Sequence, residues 1–282
     1  MRWLVVGAAG MLGTDLVRVL GERGHEVAGA DRDTVDITQP AAAAAAVRGY
    51  DVVVNCAAYT AVDDAETHEA AAFAVNAVGP ANLARGCAAS GARLVQISTD
   101  YVFDGAASTP YPASAPVDPR SAYGRTKAAG EWAVQAAGAD ALVVRTAWLY
   151  GAHGGCFPKT IARVARERGA VDVVQDQVGQ PTWTVDLAGL VVDLVEAGAP
   201  AGTYHGTSSG STSWYEFARA AVAAAGLDPL TVQPTTSEAF VRPAPRPAFS
   251  VLDHASVQAA GVAPIGDWRE RWEAAAPSVL AG

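Results

Sequence analysis

Residues 2–31 constrain the fold more than any other stretch, because they read as strand, glycine-punctuated turn, helix and strand in that order. Arg2-Trp-Leu-Val-Val6 is a short apolar run of the kind found in a parallel strand buried on both faces. It passes into Gly7-Ala-Ala-Gly10-Met11-Leu12-Gly13, then into helical periodicity from Thr14 to Gly24, and His25 to Asp31 supplies a second strand ending in a carboxylate. Parallel strands need a crossover, usually a helix, so this order predicts an α/β fold: a Rossmann-like, doubly wound parallel sheet covered by helices on both faces. Glycines let the backbone turn tightly, and the helix that follows offers free N–H groups to an anion. Gly7, Gly10, Met11, Leu12 and Gly13 are therefore the expected phosphate cradle of a dinucleotide, with Asp31 at its adenosine ribose. The G-x-x-G-x-x-G spacing departs from the commoner G-x-G-x-x-G, and the alternative is a purely structural turn. Arg32 follows Asp31 directly: the carboxylate suits a free 2′-hydroxyl, the guanidinium a 2′-phosphate. Asp36 and Ile37 fall beside the adenine on this reading, or Asp36 is a plain surface turn residue.

Farther along, Asp51 to Asn55 is another buried strand, and the small residues after it, Ala57, Ala58 and then Tyr59, leave room for a cofactor to pass. The segment 61–89 reads as mostly helical, with Asn76 either bonding the active-site strand or standing as an ordinary polar residue of the helix surface. Val95 to Thr99 is a strand whose carboxyl end carries Ser98, Thr99 and Asp100, and ligands bind at such strand ends. After a polar connector comes Tyr123-Gly-Arg-Thr-Lys127, at the head of an alanine-rich helix. Four residues apart on a helix sets phenol and ammonium on one face, where the positive charge favours the phenolate. That spacing alone is common by chance; beside a phosphate loop and a polar strand end it gains weight. Ala141 to Thr146 is a further strand, and Trp148 beyond it either stacks on a ligand or fills the core. The βα rhythm then loosens: helices at 157–168, 185–196 and 212–225, a strand at 170–174, a loop at 176–182 and a proline-rich stretch at 242–247. The expected division is a dinucleotide-binding domain of residues 1–147 with 170–197, and a smaller discontinuous substrate lobe of 148–169 and 198–282.

Composition narrows the function class. A net charge of −9 with 17% charged residues and no basic run disfavours nucleic acid and anionic membranes as partners. The glycine-broken start is a poor signal peptide, no apolar span reaches membrane length, and three scattered cysteines carry no metal-ligand spacing. The expectation is a cytoplasmic protein without a protein-held metal.

The strings AAYTAVDDAE (57–66), ISTDYVFDG (97–105), YGRTK (123–127), RTAWLYG (145–151), DQVGQPT (176–182) and RPAFSVL (246–252) together resemble the dTDP-4-dehydrorhamnose reductases. These are a branch of the extended short-chain dehydrogenase/reductase superfamily, and the match spans nearly the whole chain. Cys56 departs from it, standing where the family often has alanine. The resemblance implies reduction of the C4 ketone of a dTDP-4-keto-6-deoxy-L-hexose with NADPH, with NADH as a second cofactor behind it. Tyr123 would be the proton donor, Lys127 would bind the nicotinamide ribose, and Thr99 would bond the reacting oxygen. It further implies Asp100 and Trp148 as sugar contacts, with Gln177 and Arg246 as additional substrate contacts. Some members form homodimers linked by Mg2+, but no residues here are assigned to that role. Alternatives from the same resemblance are a ketoreductase for another deoxysugar of an antibiotic pathway, dihydrostreptose-like, and a non-catalytic NADP-binding regulatory subunit. An epimerase that retains its NAD is a third.

Overall fold

The computed structural model describes residues 1–281. The N-terminal half alternates strand and helix: β1 (Arg2–Val6), α1 (Met11–Glu22), β2 (Glu26–Ala30), α2 (Pro40–Ala46), β3 (Val52–Asn55), α3 (Glu69–Phe73), α4 (Gly79–Ser90), β4 (Arg93–Thr99), α5 (Ala122–Ala136) and β5 (Ala141–Thr146). The second half is less regular: β6 (Leu149–Tyr150), α6 (Phe157–Arg168), β7 (Val171–Val174), β8 (Val178–Gly179), β9 (Thr182–Trp183), α7 (Thr184–Glu196) and β10 (Gly202–His205), then β11 (Ser208–Ser209), β12 (Thr212–Ser213), α8 (Trp214–Ala224), β13 (Val232–Thr235), α9 (Ala255–Ala259), β14 (Ile265–Asp267) and α10 (Trp268–Leu280).

Six strands form one sheet in the order β10-β5-β4-β3-β1-β2, every pairing parallel. Side chains alternate across the pleat, so β1 sends Trp3 and Val5 to one face and Leu4 and Val6 to the other. The first face packs on α1 and α7 through Leu16, Leu20, Leu187 and Leu194, all fully buried. The opposite face packs on α2 and α4 through Val47, Leu83 and Cys87. Each such leucine contributes about 1.5–3 kcal/mol of apolar burial, and covering both faces makes the α/β, doubly wound expectation correct. The chain runs outward from β1 to β2 and then, from β3 onward, in the other direction. The β1/β3 boundary is thus the point where strand order reverses and ligands enter.

The sheet differs from expectation at two strands. The 170–174 strand, assigned to the nucleotide-binding part, instead pairs in parallel with β13, outside the central sheet. Conversely β10, within the stretch assigned to the lobe, is the edge strand beside β5. Gly202 and the glycines around it disfavour a strand locally, but Tyr204 and His205 are buried there, and pairing overrides the local signal. The helical stretch 61–89 is also broken, by a π-helical turn at Ala74–Val78. The small lobe has its own core, where Tyr150, Phe217, Trp268 and Trp272 pack α8 and α10 against β6.

Candidate active site

At the carboxyl ends of β1 and β2 the glycine loop folds as its residues require. Gly7 has φ +80°, and a Cβ there would meet the Ala57 amide nitrogen at 2.7 Å, so only glycine lets the β1 and β3 ends approach this closely. A Cβ on Gly13 would collide with the Gly7 carbonyl. Gly10 caps α1 without a side-chain hydrogen bond, so the first N–H groups of the helix remain available to an anion. These features fit a dinucleotide diphosphate.

A cavity of about 610 Å³ opens on one side of this loop, lined by Gly7, Gly10, Asp31, Arg32, Asp36, Ile37, Ala57, Ala58 and Tyr59. The Asp31 carboxylate is fixed there by the Ala9 N–H, at 3.0 and 3.1 Å to its two oxygens. Asp36 accepts from the Thr38 hydroxyl at 2.7 Å and the Thr38 amide at 3.0 Å, bonds that hold its carboxyl below the usual range. Asn76, in the π-helical turn, clamps Tyr59: its Oδ1 accepts from the Tyr59 N–H at 2.8 Å, and its Nδ2 donates to the Tyr59 carbonyl at 3.1 Å and to Thr126 at 3.0 Å. It thus ties the cofactor loop to α5, which is neither of its two expected roles.

A second cavity of about 610 Å³ shares Gly7, Gly10, Cys56 and Ala58 with the first, and its wall brings together Met11, Leu12, Gly13, Thr99, Asp100, Tyr123, Lys127 and Trp148. Thr99 ends β4; its hydroxyl donates to Asp100 at 3.0 Å and accepts from the Tyr101 amide at 3.2 Å. Burial pushes the Tyr123 phenol up to about 12, against a hydrogen bond from Thr99 that favours the phenolate. The sequence spacing predicts a phenol lowered by Lys127, and here the structure corrects it. The ammonium donates to the Ile97 carbonyl at 2.7 Å, and desolvation dominates both groups. Burial draws Lys127 down to about 8, opposed first by Glu131. Asp100, 2% exposed, is raised by burial to about 6.

Trp148 has φ +47°, in the left-handed region where a non-glycine residue is strained by about 1–3 kcal/mol. Its ring stacks on Trp214 with centroids 3.6 Å apart, and its other neighbour is Gly179, whose Cβ would reach the indole at 2.5 Å. Of the two readings of Trp148, the ring faces the cleft and is held by an aromatic partner at the same time. Gln177 and Arg246 stand outside this wall. Gln177 donates to Ser237 at 2.8 Å, whereas Arg246 pairs with Asp63 at 2.9 Å and lies 6.0 Å from the Tyr101 ring at the rim. Sequence reasoning missed Tyr101, Phe157 and Trp214, which also line the second cavity. Tyr101 lies inside the ISTDYVFDG string, but no local signal marked the other two. Cys56 lines both cavities.

The model for the RmlD substrate binding domain matches residues 1–280. A probable dTDP-4,6-dihydroxy-2-methyloxan-3-one 4-ketoreductase of Streptomyces antibioticus is 50% identical over 100% of this chain and 96% of its own. A dTDP-4-dehydrorhamnose reductase of Streptomyces griseus is 50% identical over 95% of this chain and 90% of its own. The crystal structure of a dTDP-4-dehydrorhamnose reductase from Bacillus anthracis in complex with NADP superposes with a TM-score of 0.93 at 36% identity, covering 97% of this chain and 98% of that one. With the family model spanning the chain and relatives at half identity along its length, this protein belongs to the RmlD substrate binding domain family, that of the dTDP-4-dehydrorhamnose reductases.

Proposed function

We propose that the protein reduces the C4 ketone of dTDP-4-dehydrorhamnose with NADPH. The observation that carries this reading is the single wall on which Thr99, Tyr123, Lys127 and Trp148 meet, continuous with the glycine-loop cavity through Gly7, Gly10, Cys56 and Ala58. The bound nicotinamide supplies the hydride that the ketone carbon accepts. Tyr123 gives its proton to the developing alkoxide, and a phenol held protonated by burial is the form that the step requires. Lys127 binds the nicotinamide ribose and keeps a positive charge close to the phenol once its proton has left. Thr99 bonds the same oxygen, exchanging its present bond to Asp100. On this reading Trp148 and Asp100 contact the sugar, and Arg246, outside the wall beside Tyr101, is the candidate contact for the diphosphate. Asp31 fits the ribose, and Arg32 beside it favours the 2′-phosphate of NADPH over NADH.

A second reading changes the sugar alone. The Streptomyces antibioticus relative bears the name of a 4-ketoreductase for a different keto-sugar, and the same wall serves any dTDP-4-keto-6-deoxyhexose that stacks on Trp148. The test is the loss of NADPH and NADH absorbance with several dTDP-4-keto sugars offered separately. Fastest oxidation with dTDP-4-dehydrorhamnose supports the first reading, and fastest with another sugar supports the second. Cofactor binding without oxidation of NADPH by any of them defeats both.

A further inference from the structure

One helical turn beyond Lys127 lies a buried charge network with no part in the chemistry above, of whose members only Ser98 lines the cleft. Tyr123, Lys127 and Glu131 are spaced four residues apart along α5 and share a face. Glu131 is 2% exposed and Arg145 is 4% exposed. Arg145 donates to Glu131 from Nε at 3.0 Å and from a terminal nitrogen at 2.7 Å, and Ser98 donates to the same carboxylate at 2.5 Å. Ser98 and Arg145 are direct partners in the β4/β5 register, so one carboxylate ties α5 to two adjacent strands at the ends that form the site. The rest of the guanidinium is also fixed, by the Ala113 carbonyl at 3.2 Å and the Phe103 ring at 4.9 Å. On β4 the residue before Ser98 offers the carbonyl that receives Lys127, and the residue after it is Thr99. A buried ion pair is a weak source of stability, since a well-packed apolar pair often does as well. Its placement one turn beyond the lysine is what needs a reason.

We propose that Glu131 is a positioning residue for Lys127: one turn beyond the lysine, its buried carboxylate clamps Ser98 and Arg145 and so holds the β4 end whose Ile97 carbonyl receives the ammonium. The same carboxylate favours the charged lysine, and Arg145, by sharing it, limits that effect. This rests on the reading of Lys127 as the cofactor-ribose ligand. The groups acting on the ammonium are Glu131 from α5, itself paired with Arg145 of β5, and Cys56 beyond β3, while Tyr123 and Asp100 line the same cavity. Cys56 stays a neutral thiol, pushed up to about 12 by burial, so Glu131 is the main negative charge acting on the lysine. The balance has opposite signs for its two members: losing Glu131 favours neutral Lys127, and losing Arg145 favours the ammonium.

The experiment compares wild type, Glu131→Gln, Arg145→Met and the double variant for the pH dependence of NADPH affinity, followed by fluorescence, and of keto-sugar turnover. An opposite charge within about 4–6 Å shifts a neighbour by about 1–3 pH units, and Glu131 shares its charge with Arg145, so the lower end applies. Glu131→Gln is expected to move the alkaline loss of NADPH affinity down by about one unit, and Arg145→Met to move it up. If Glu131→Gln alone does not fold, the charge-neutral double variant carries the test, with its limb below that of wild type. Limbs that stay together, or that move in the same direction in both single variants, overturn the proposal and leave a structural ion pair. Absence of turnover in wild type defeats the reductase reading, whereas the affinity profiles still decide the role of Glu131.

Discussion

Asp100 and Lys127 are held at the cleft floor in environments that oppose their charged forms, and this costs stability where the site needs the groups. The Asp100 carboxyl rises from an ordinary 3.8 to about 6. A raised acid binds a proton in the folded state that the unfolded chain has already lost, so stability falls as pH climbs from about 4 to 6, and the full penalty is present at pH 7. At 1.36 kcal/mol per unit this is on the order of 2–3 kcal/mol. Asp100→Asn is therefore expected to raise the denaturation midpoint at pH 7 and to lose that advantage below pH 4, while slowing turnover. Urea melts at the two pH values check it, and an equal effect at both would show that the carboxyl is not buried as described. Lys127 has the same character with the opposite charge. Its value is about 8 against an ordinary 10.5, so its penalty is complete below about pH 8 and is relieved as pH rises toward 10.5. Buried ionisable groups that weaken the fold are a usual mark of an active site. The identity of these residues was legible in the sequence, since Tyr123-x-x-x-Lys127 and Ser98-Thr99-Asp100 announce themselves by type and spacing. Their electrostatics were not: the phenol is raised rather than lowered, because burial depends on everything packed around it.

Elements are set against one another where no side chain fits. A Cβ on Gly130 would collide with the Asn76 carbonyl, so α5 meets the π-helical turn at bare backbone. Gly130→Ala must push the two apart, at a cost of about 1–3 kcal/mol. It would also loosen the Asn76 clamp on Tyr59, weakening NADPH binding alongside stability; a loss of stability with unchanged cofactor affinity would separate the clamp from the cofactor site. Gly179 plays a similar part beneath Trp148. Gly179→Ala should displace the indole from its stack on Trp214 and raise the KM for sugar far more than for NADPH, as steady-state kinetics with each substrate varied would show. The strands and helices around these contacts were read well from apolar runs and periodicity, helix Phe157–Arg168 to the residue. The π-helical turn was not, because an extra residue in a helix leaves no mark in a stretch as rich in alanine as 70–77. The partner of β7 was invisible for another reason: pairing with Val232–Thr235 links segments some sixty residues apart, which no local pattern reports.

At the scale of the molecule, the sheet layer and the smaller lobe meet along the cleft, and charge fastens them. Asp63, in the segment after β3, accepts from Arg242 at 2.6 Å and from Arg246 at 2.9 Å. These arginines sit on the proline-rich stretch that the sequence shows only as an extended loop. On the proposed reading, Arg242 and Arg246, which together exceed Asp63 by one positive charge in a chain of net charge −9, would favour a dianionic diphosphate. Asp63→Asn is expected to weaken sugar-nucleotide affinity several-fold by releasing that stretch and to leave NADPH affinity unchanged, which titration of each ligand would test; an equal loss for both would mean that Asp63 supports the whole fold. The central claim is that the continuous cleft carries a hydride from NADPH to a keto sugar with Tyr123 as the proton source. The most direct measurement is single-turnover oxidation of NADPH by dTDP-4-dehydrorhamnose in wild type and in Tyr123→Phe. The account predicts a loss of about 10²–10⁴-fold in rate with NADPH binding retained. An unchanged rate in Tyr123→Phe would contradict it.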